Sequence, residues 1–188
     1  RPRVVFDETG QCNACKWLSG PYKEIDWSAR RKEFERIINQ YCGRGPYDLV
    51  VPCSGGKDSG YVAHFLKTEF GLNPLCVTYG QMLWTEPGRY NWEQCRRAGL
   101  EFSYWGHNQD VSRKMARRFQ LERSHIKQHY DSGVNAAPLR TAIMMDIPLV
   151  MYAEHGESFY SGLVLNEESR RTRDIVEVLE HQVGDDAR

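Results

Sequence analysis

The sequence predicts an α/β protein whose core is a doubly wound parallel sheet, and three observations support this fold class. Short apolar runs suited to buried strands alternate with longer segments in which apolar residues recur at helical spacing. A loop of small residues joins the first of these runs directly to a helical pattern. In addition, a chain of 188 residues with 40% hydrophobic residues is long enough for one core with modest additions.

The first 45 residues precede this alternation and are expected to form a separate segment, residues 1–45. Residues 1–20 are rich in turn formers. An amphipathic helix is predicted at Ser28–Tyr41, with Asp26 or Ser28 capping its start. The run Gly43-Arg44-Gly45-Pro46 ends this helix.

Four strands and their intervening helices are predicted in the sheet domain, residues 46–162. The strands are placed at Leu49–Val51, Leu75–Tyr79, Leu100–Trp105 and Leu149–Tyr152. One helix follows the small-residue loop, with a stripe of Tyr61, Val62, Phe65 and Leu66. Further helices are placed at Pro87–Ala98, Val111–Phe119 and Ala136–Met145. A tail at 163–188 is predicted to be helical over Glu168–Gln182.

The small-residue loop, Ser54-Gly55-Gly56-Lys57-Asp58-Ser59, has the composition of a phosphate-binding site. Because it ends a strand and opens a helix, backbone N–H groups and the positive end of the helix face one point. The two glycines let an anion approach the backbone, the two serines add hydroxyl donors, and Lys57 adds a mobile positive charge. Asp58 is a candidate Mg²⁺ ligand or only a cap for the helix.

Two common nucleotide-binding patterns do not describe this loop. The mononucleotide loop requires Gly-x-x-x-x-Gly-Lys-Ser/Thr, whereas here Asp58 follows Lys57 and Val51 occupies the position of the first glycine. The dinucleotide pattern Gly-x-Gly-x-x-Gly is absent as well. The simplest alternative is a glycine turn between a strand and a helix that binds no ligand.

Because parallel sheets place ligands beyond the carboxyl ends of their strands, two more segments are candidate sites. In the segment from Thr78 to Gln81, Thr78 is predicted to contact the nucleotide. In Ala153-Glu154-His155-Gly156, Glu154 is a candidate ligand of Mg²⁺ or of a substrate hydroxyl, and His155 is a candidate acid or base. The alternative for the last two residues is a loop pair that hydrogen-bonds to the backbone.

Cys12 and Cys15 form a Cys-x-x-Cys pair on a predicted knuckle-like turn, where both thiolates can reach one zinc ion. A redox-active pair is an alternative, but such a pair is expected to open a helix beside a strand, a pattern that residues 2–10 do not show. Two unrelated thiols are the remaining alternative.

His125 and His129 can complete a tetrahedral Cys₂His₂ set with these cysteines. They are four residues apart, so on a helix both imidazoles share one face. A closed set of four ligands would be structural and would tie the N-terminal segment to the sheet domain. His129 can instead serve the active site, and this alternative stays open.

Composition narrows the classes of partner. The 25 basic and 25 acidic residues give a formal net charge of zero, so nothing indicates a nucleic-acid-binding surface. The longest apolar runs are far shorter than a membrane span, and no signal-peptide pattern opens the chain. We therefore expect no nucleic acid and no membrane as partner, and a cytoplasmic protein whose close cysteine pair more often means metal than disulfide.

The loop resembles the PP-loop, Ser-Gly-Gly-x-Asp-Ser, of the ATP pyrophosphatase superfamily. More narrowly, the chain is similar to the N-acetyl sugar amidotransferase family over most of residues 4–162. The matching stretches are Val5–Cys15, Val51–Ser59 with Tyr61, Gly71–Leu75, Thr85–Arg89 with Asn91, and Ile147–Val150 leading to Glu154. Relatives are longer between Arg123 and Ser124 and after Gly162, and some carry a second Cys-x-x-Cys-His where His125, Gln128 and His129 stand here.

The resemblance implies an adenine nucleotide alpha-hydrolase-like fold and an enzyme that splits ATP into AMP and pyrophosphate. Such an enzyme would convert the acetamido group of an N-acetyl sugar, carried by a nucleotide, into an acetamidino group for bacterial O-antigen and other surface sugars. Lys57 and Asp58 would act at the phosphates with Mg²⁺, Glu154 or His155 would act at the sugar or the ammonia, and zinc would be structural. Ammonia would come from a partner glutaminase pair related to the two halves of imidazole glycerol phosphate synthase.

Two other functions stay open from the sequence. A tRNA-thiolating PP-loop enzyme would share the adenylation step, but it would need catalytic cysteines, for which Cys53 and Cys76 are candidates, and a basic surface. A non-catalytic nucleotide-binding module would use the cysteine pair as a docking site.

Overall fold

The structure is a computed structural model that describes residues 4–154. These residues fall into two compact units, one ending at Phe34 and the other running from Glu35 to Glu154. The predicted domain boundaries after residues 45 and 162 stay predictions, and the predicted helical tail lies outside the described residues. Within residues 4–154, no helix is both long enough and apolar enough to cross a membrane.

The N-terminal unit is built from short elements. A single antiparallel bridge pairs Phe6 with Cys12, and helix α1 follows at Asn13–Ser19. A 3-10 helix at Pro21–Glu24 then leads to the start of α2, Trp27–Tyr41, which confirms the helix predicted there. Asp26 rather than Ser28 caps α2, because its carboxylate accepts a hydrogen bond from the Ala29 N–H at 3.0 Å.

Three parallel strands form the sheet in the order β1-β2-β3. They are β1 at Leu49–Pro52, β2 at Pro74–Tyr79 and β3 at Glu101–Trp105. The register pairs Val51 with Cys76, and Cys76 in turn with Phe102. All three strands lie where the sequence predicts them, so the α/β class and the parallel sheet are confirmed.

The predicted fourth strand at Leu149–Tyr152 is reduced to one bridge, in which Val150 lies parallel to Val50. The predicted strand is therefore too long. Only Val50 of β1 takes part in the pairing: its N–H donates to the Leu149 carbonyl oxygen at 2.9 Å, and its carbonyl oxygen accepts from the Met151 N–H at 2.8 Å. β1 therefore has Val150 on one side and β2 on the other. The chain connections diverge at the carboxyl end of β1, which is the kind of switch point at which such sheets bind ligands.

Four helices accompany the sheet within the described residues. They are α3 at Lys57–Phe70, α4 at Glu86–Arg97, α5 at Gln109–Arg123 and α6 at Gln128–Met144. Both α3 and α6 contact β1 and β2. The α6 face of the sheet forms one apolar cluster of Val50, Leu75, Val77, Ala137, Ala142 and Ile147. Since side chains alternate along a strand, the fully buried Leu49, Val51 and Cys76 face the α3 side.

Two helix predictions need correction. On α3 the buried residues are Ser59, Ala63 and Leu66, whereas Tyr61 is 66% exposed, so the buried face differs from the predicted stripe.

Helix α6 begins at Gln128, well before the predicted start at Ala136. Gly133 lowers the local helix propensity, but the Tyr79 ring packs so closely here that a Cβ at Gly133 would lie 2.2 Å from it. Tertiary packing therefore extends this helix beyond what its sequence favours locally.

Candidate phosphate site and its surroundings

The phosphate loop, Ser54–Ser59, lies between the end of β1 and the start of α3, and its shape depends on Gly55. That residue has φ +83°, a left-handed conformation that favours glycine. A Cβ at Gly55 would lie 3.2 Å from Trp92 Cβ and 3.3 Å from the Gly88 carbonyl oxygen. Helix α4 thus packs directly on the loop backbone, and only glycine fits both the conformation and the space.

Gly56 sits at the open side of the loop, where it is the N-cap of α3. It has φ −76° and ψ 161° and makes no side-chain cap hydrogen bond. The nearest atom to a Cβ built at Gly56 is Ser54 Oγ, at 3.5 Å, so the glycine and the Ser54 hydroxyl border the same space. The first-turn N–H groups of α3 have no intrahelical acceptors and face this side. A small anion fits such a set of donors.

Lys57 and Asp58 form an ion pair at the mouth of the loop. Lys57 Nζ lies 2.6 Å from Asp58 Oδ1, and the two side chains are 87% and 57% exposed. A pair this exposed contributes little to stability. Both charges are therefore available to exchange partners, the ammonium for a phosphate oxygen and the carboxylate for a divalent cation.

Ser59 and Thr78 brace the loop from inside. The Ser59 hydroxyl lies 3.3 Å from the Gly56 carbonyl oxygen. Thr78 is 1% exposed, and its hydroxyl donates to the Cys53 carbonyl oxygen at 2.5 Å while accepting from the Trp92 indole N–H at 3.0 Å. These bonds hold the loop in place, and direct contact of either residue with a nucleotide stays a prediction.

Gln81 connects the loop to α6, a role that the sequence does not reveal. Its side-chain N–H donates to the Ser54 carbonyl oxygen at 3.4 Å. Its amide oxygen accepts from the Tyr130 hydroxyl at 2.6 Å. Because a carbonyl oxygen can only accept, the Ser54 contact fixes which end of the Gln81 amide faces the loop, and the Tyr130 hydroxyl donates to the other end.

Two histidines and two tyrosines lie together at the carboxyl edge of the sheet. The Tyr79 ring stacks on His107 at 5.4 Å and lies 5.6 Å from the Tyr130 ring. His129 Nε2 is 2.8 Å from Ser112 Oγ. In residues 4–154, Nδ1 of His107 and Nδ1 of His129 are both buried without a hydrogen-bond partner. Burial, followed by the neighbouring His107, lowers the pKa of His129, which favours a neutral imidazole.

His107 is a candidate that sequence reasoning missed. It follows β3 by two residues, and this position beyond a strand end was the only available signal.

The cysteine pair opens a helix, contrary to the sequence-based expectation. Cys12 is the N-cap of α1, and its sulfur accepts a hydrogen bond from the Cys15 N–H at 3.4 Å. That backbone hydrogen bond lowers the pKa of the Cys12 thiol. A side-chain hydrogen bond with Cys12 raises the pKa of the Cys15 thiol. Asp7 holds the preceding turn, since its carboxylate accepts from the Thr9 and Gln11 N–H groups and pairs with Lys16 at 2.7 Å. The pair thus has features of both the zinc and the redox interpretations.

The two histidines of the predicted zinc set do not share a helix face. Ser124 ends α5 in a left-handed conformation, and His125 precedes α6, whose first residue is Gln128. His125 Nε2 instead lies 3.2 Å from Asp131 Oδ2. Over the described residues 4–154, no group of three or more His, Cys, Asp or Glu side chains is arranged to hold a metal ion. The four-ligand set therefore stays a prediction from the sequence.

The predicted residues after the fourth strand are only partly described. Glu154 is exposed and is the last residue that the structure describes. His155 lies outside the described residues. Their roles at a substrate stay predictions.

Comparison with known proteins shows neither a family nor a function for this chain. No family model matches the chain. A curated relative, an uncharacterized protein of Methanocaldococcus jannaschii, is 46% identical over 48 residues, which are 25% of this chain. The chain covers 17% of that relative's length. The structure alone establishes an α/β protein, in which helices alternate with the strands of a three-stranded parallel sheet.

Proposed function

We propose that the protein is an ATP-dependent, AMP-forming amidotransferase that converts the acetamido group of an N-acetyl sugar into an acetamidino group. The observation that carries this proposal is the construction of the phosphate loop. A Ser-Gly-Gly-x-Asp-Ser sequence lies at the switch point of a parallel sheet, with Gly55 packed against α4 and the start of α3 left without a side-chain cap.

The residues of the loop fit the pyrophosphate portion of ATP. The first-turn N–H groups of α3 and the Ser54 hydroxyl supply neutral donors, and Lys57 supplies a positive charge that is 87% exposed. Asp58 would hold Mg²⁺, which favours carboxylate and phosphate oxygens together. Donors fixed in this way stabilise the charge that develops on pyrophosphate as it leaves.

The reaction follows from the weak reactivity of an amide. In the proposed first step the acetamido oxygen attacks the α-phosphorus of ATP, and the bond to pyrophosphate breaks. This adenylation turns the amide oxygen into a leaving group. Ammonia then adds to the imidate carbon, AMP departs with the oxygen, and loss of a proton from nitrogen leaves the acetamidino group.

Several groups are candidates for the acceptor side of this reaction. Glu154 and His155 keep their proposed roles at the sugar or the ammonia. The neutral imidazole favoured at His129 is a further candidate proton acceptor. His129 precedes Tyr130 in the chain, and it is Tyr130 that Gln81 connects to Ser54 through two hydrogen bonds. Ammonia itself is proposed to come from a partner glutaminase pair, as the family resemblance implies.

The burial of two cysteines counts against the rival tRNA-thiolating function. Cys53 is 2% exposed and Cys76 is fully buried, so neither sulfur is presented to a nucleic acid. The formal net charge of zero supplies no general attraction to a polyanion. Both observations favour a small acceptor over tRNA.

Release of AMP and pyrophosphate from ATP tests the proposal. Purified protein is incubated with MgATP, an ammonium salt and either a UDP-linked N-acetyl sugar or bulk tRNA. We expect AMP formation only with a sugar and ammonia together, and a product one mass unit lighter than the sugar, since NH replaces O. AMP formation driven by tRNA, and unaffected by any sugar, would show that the acceptor is wrong. A Lys57→Met variant controls for contaminating ATPases.

A further inference from the structure

Three cysteines with no part in the proposed reaction lie beneath the phosphate loop. Cys53 and Cys76 are buried, and Cys95 on α4 is half-buried. Cys76, Ser59, the Gly55 N–H and Cys95 all act on the pKa of the Cys53 thiol. These groups therefore surround one sulfur atom below the loop.

Helix α4 brings Cys95 to this sulfur along one face. Gly88, Trp92 and Cys95 follow each other at helical spacing, and the first two pack on Gly55. Cys95 continues the same face, where its sulfur would lie 3.2 Å from a Cβ at Gly60. Gly88, Trp92 and Cys95 therefore lie on the face of α4 that packs against the loop and the first turn of α3.

The sheet register decides which pair of thiols can be joined. Cys76 pairs with Val51, so Cys53 lies two residues further along the neighbouring strand. With about 3.3 Å per residue and about 4.8 Å between strands, the Cα atoms of Cys53 and Cys76 are about 8 Å apart. A disulfide bridges Cα atoms up to about 7 Å apart without backbone movement. Cys95 is on a helix rather than in the sheet, so this register does not exclude it as the partner of Cys53.

We propose that Cys53 and Cys95 form a redox modification site, at which a hydroperoxide converts the two thiols into a disulfide that disables the phosphate loop. A hydroperoxide suits the site because an oxidant must be little larger than water to reach thiols this buried. Half-buried Cys95 provides the side of approach.

The chemistry balances with hydrogen peroxide as the only oxidant. The Cys53 thiolate attacks one peroxide oxygen, the O–O bond breaks, and the departing hydroxide becomes water by taking a proton from solvent. The Cys95 sulfur then attacks the sulfenic sulfur, the S–O bond breaks, and water leaves with the Cys95 proton. Two thiols and one peroxide thus give one disulfide and two waters.

The surroundings of Cys53 favour the first step. Hydrogen bonding, from Cys76 above all, lowers the pKa of Cys53 despite its burial, and the thiolate is the reactive form. Burial raises the pKa of Cys95, which suits the thiol that reacts second. Once the Cys53 sulfur is bonded to Cys95, it can no longer interact in the same way with the Gly55 N–H and the Ser59 hydroxyl of the loop.

Peptide mapping of the full chain tests the site. Reduced protein is treated with hydrogen peroxide, alkylated and digested with trypsin without reduction. Trypsin places the three cysteines on separate peptides, residues 45–57, 68–89 and 90–96. We expect a link between 45–57 and 90–96 that forms more slowly when MgATP is present and disappears with dithiothreitol.

Calorimetric titration with MgATP measures the effect on the loop. We expect the oxidised protein to bind MgATP at least about tenfold more weakly, with recovery after reduction. Cys95→Ser removes both the link and the loss of binding, and Cys95→Ala repeats this result if the serine variant does not fold. Cys42→Ser, a half-buried cysteine elsewhere, changes neither.

Three results would overturn the proposal: a link from 45–57 to 68–89 instead, no link at peroxide levels that oxidise Cys12 and Cys15, or equal loss of MgATP binding in the Cys95 variants. The effect on nucleotide binding rests on the proposed function, whereas the peptide link does not. If reduced protein fails to bind MgATP, the proposed function fails, and the link alone still decides the modification site.

Discussion

The starts of α3 and α5 differ in how the N–H groups of the first helical turn are satisfied, since these groups have no acceptor within the helix. At α5 the Asn108 side chain accepts hydrogen bonds from the N–H groups of Asp110 and Val111, at 3.0 and 3.1 Å. At α3 the N-cap is Gly56, which has no side chain and makes no cap bond. A capped start satisfies its own donors, whereas an uncapped start leaves them for a ligand. The residue at the N-cap therefore distinguishes the start of α5 from the start of α3, where we propose that an anion binds.

Helix α4 follows the pattern of α5 rather than that of α3. Thr85 caps it, and its hydroxyl oxygen accepts from the Gly88 N–H at 3.2 Å. In each of these two helices a side chain at the N-cap accepts from first-turn N–H groups. The comparison therefore assigns anion binding to α3 alone among these three helices, and four substitutions test that assignment.

Gly55→Ala is expected to have the largest effect. The new Cβ would be placed at φ +83° and 3.2 Å from Trp92 Cβ, so the loop must shift. We expect AMP formation to fall by more than about 100-fold, as misplacement of a reacting group costs, and the free energy of unfolding to fall by about 1–3 kcal/mol. AMP release and urea unfolding measure the two effects.

Gly71→Ala is the matched control for that substitution. Gly71 also has a positive φ, +65°, but nothing lies within 4 Å of its added Cβ. It is expected to lose about 1 kcal/mol of stability with little change in AMP formation per folded molecule. Equal losses of AMP formation in both variants would mean that backbone strain, rather than the loop, explains the first result.

Lys57→Met should have the next largest effect, because it removes the positive charge from the uncapped helix start. We expect AMP formation to fall about 100-fold. The free energy of unfolding should change little, since the ion pair with Asp58 is solvent-exposed. Lys114→Met, at an exposed position on α5, controls for loss of one surface charge. If Lys57→Met forms AMP at the wild-type rate, the Lys57 ammonium has no part in the proposed site.

Gly56→Ser converts the start of α3 into a capped start like that of α5. The backbone already has extended angles, and the added Cβ meets only Ser54 Oγ, at 3.5 Å, so the side chain fits. Stability should rise by a few tenths of a kcal/mol at most. MgATP should bind about tenfold more weakly by calorimetry, because the new hydroxyl competes for the N–H donors. Unchanged affinity would show that these donors do not bind the phosphates.

Asn108→Ala removes the cap from α5 and should have the smallest effect on function. The free energy of unfolding is expected to fall by about 1 kcal/mol, the usual cost of losing such a cap. AMP formation by the folded protein should match that of the wild type. Reduced AMP formation at saturating MgATP, in protein that circular dichroism shows to be folded, would contradict the division between the two helix starts.

The sequence predicts most of the sheet and the phosphate loop because both depend on local patterns. Buried parallel strands are short apolar runs, and the six loop residues are contiguous. Local pattern fails at α6, where the Tyr79 ring packs on Gly133 and a helix forms despite the glycine. It fails again at Val150, because an apolar run does not show how much of it will pair with a neighbouring strand.

The surroundings of the site were harder to predict because they come from distant parts of the chain. Tyr130 and Gln81 are 49 residues apart, and no spacing rule connects them. His125 and His129 have the right spacing for one helix face, but α6 begins only at Gln128, so His125 lies before the helix that contains His129. Spacing along the chain predicts proximity only within one continuous element. The six loop residues are contiguous and could be predicted, whereas Gln81 and Tyr130, which hold the loop from distant parts of the chain, could not.

The Gln81 amide has a polarity that its neighbours set, and this has a consequence for how the site can change. The Ser54 carbonyl oxygen can only accept, so it requires an amide N–H on its side, and the Tyr130 hydroxyl donates to the amide oxygen on the other side. A glutamate at this position has almost the same shape, yet it would set a carboxylate against that carbonyl and add a negative charge beside the proposed phosphate site. A replacement that conserves volume would thus reverse the electrostatics at the mouth of the loop. The electrostatic potential at the loop thus depends on the direction of the Gln81 amide dipole, and Gln81 lies outside the loop sequence.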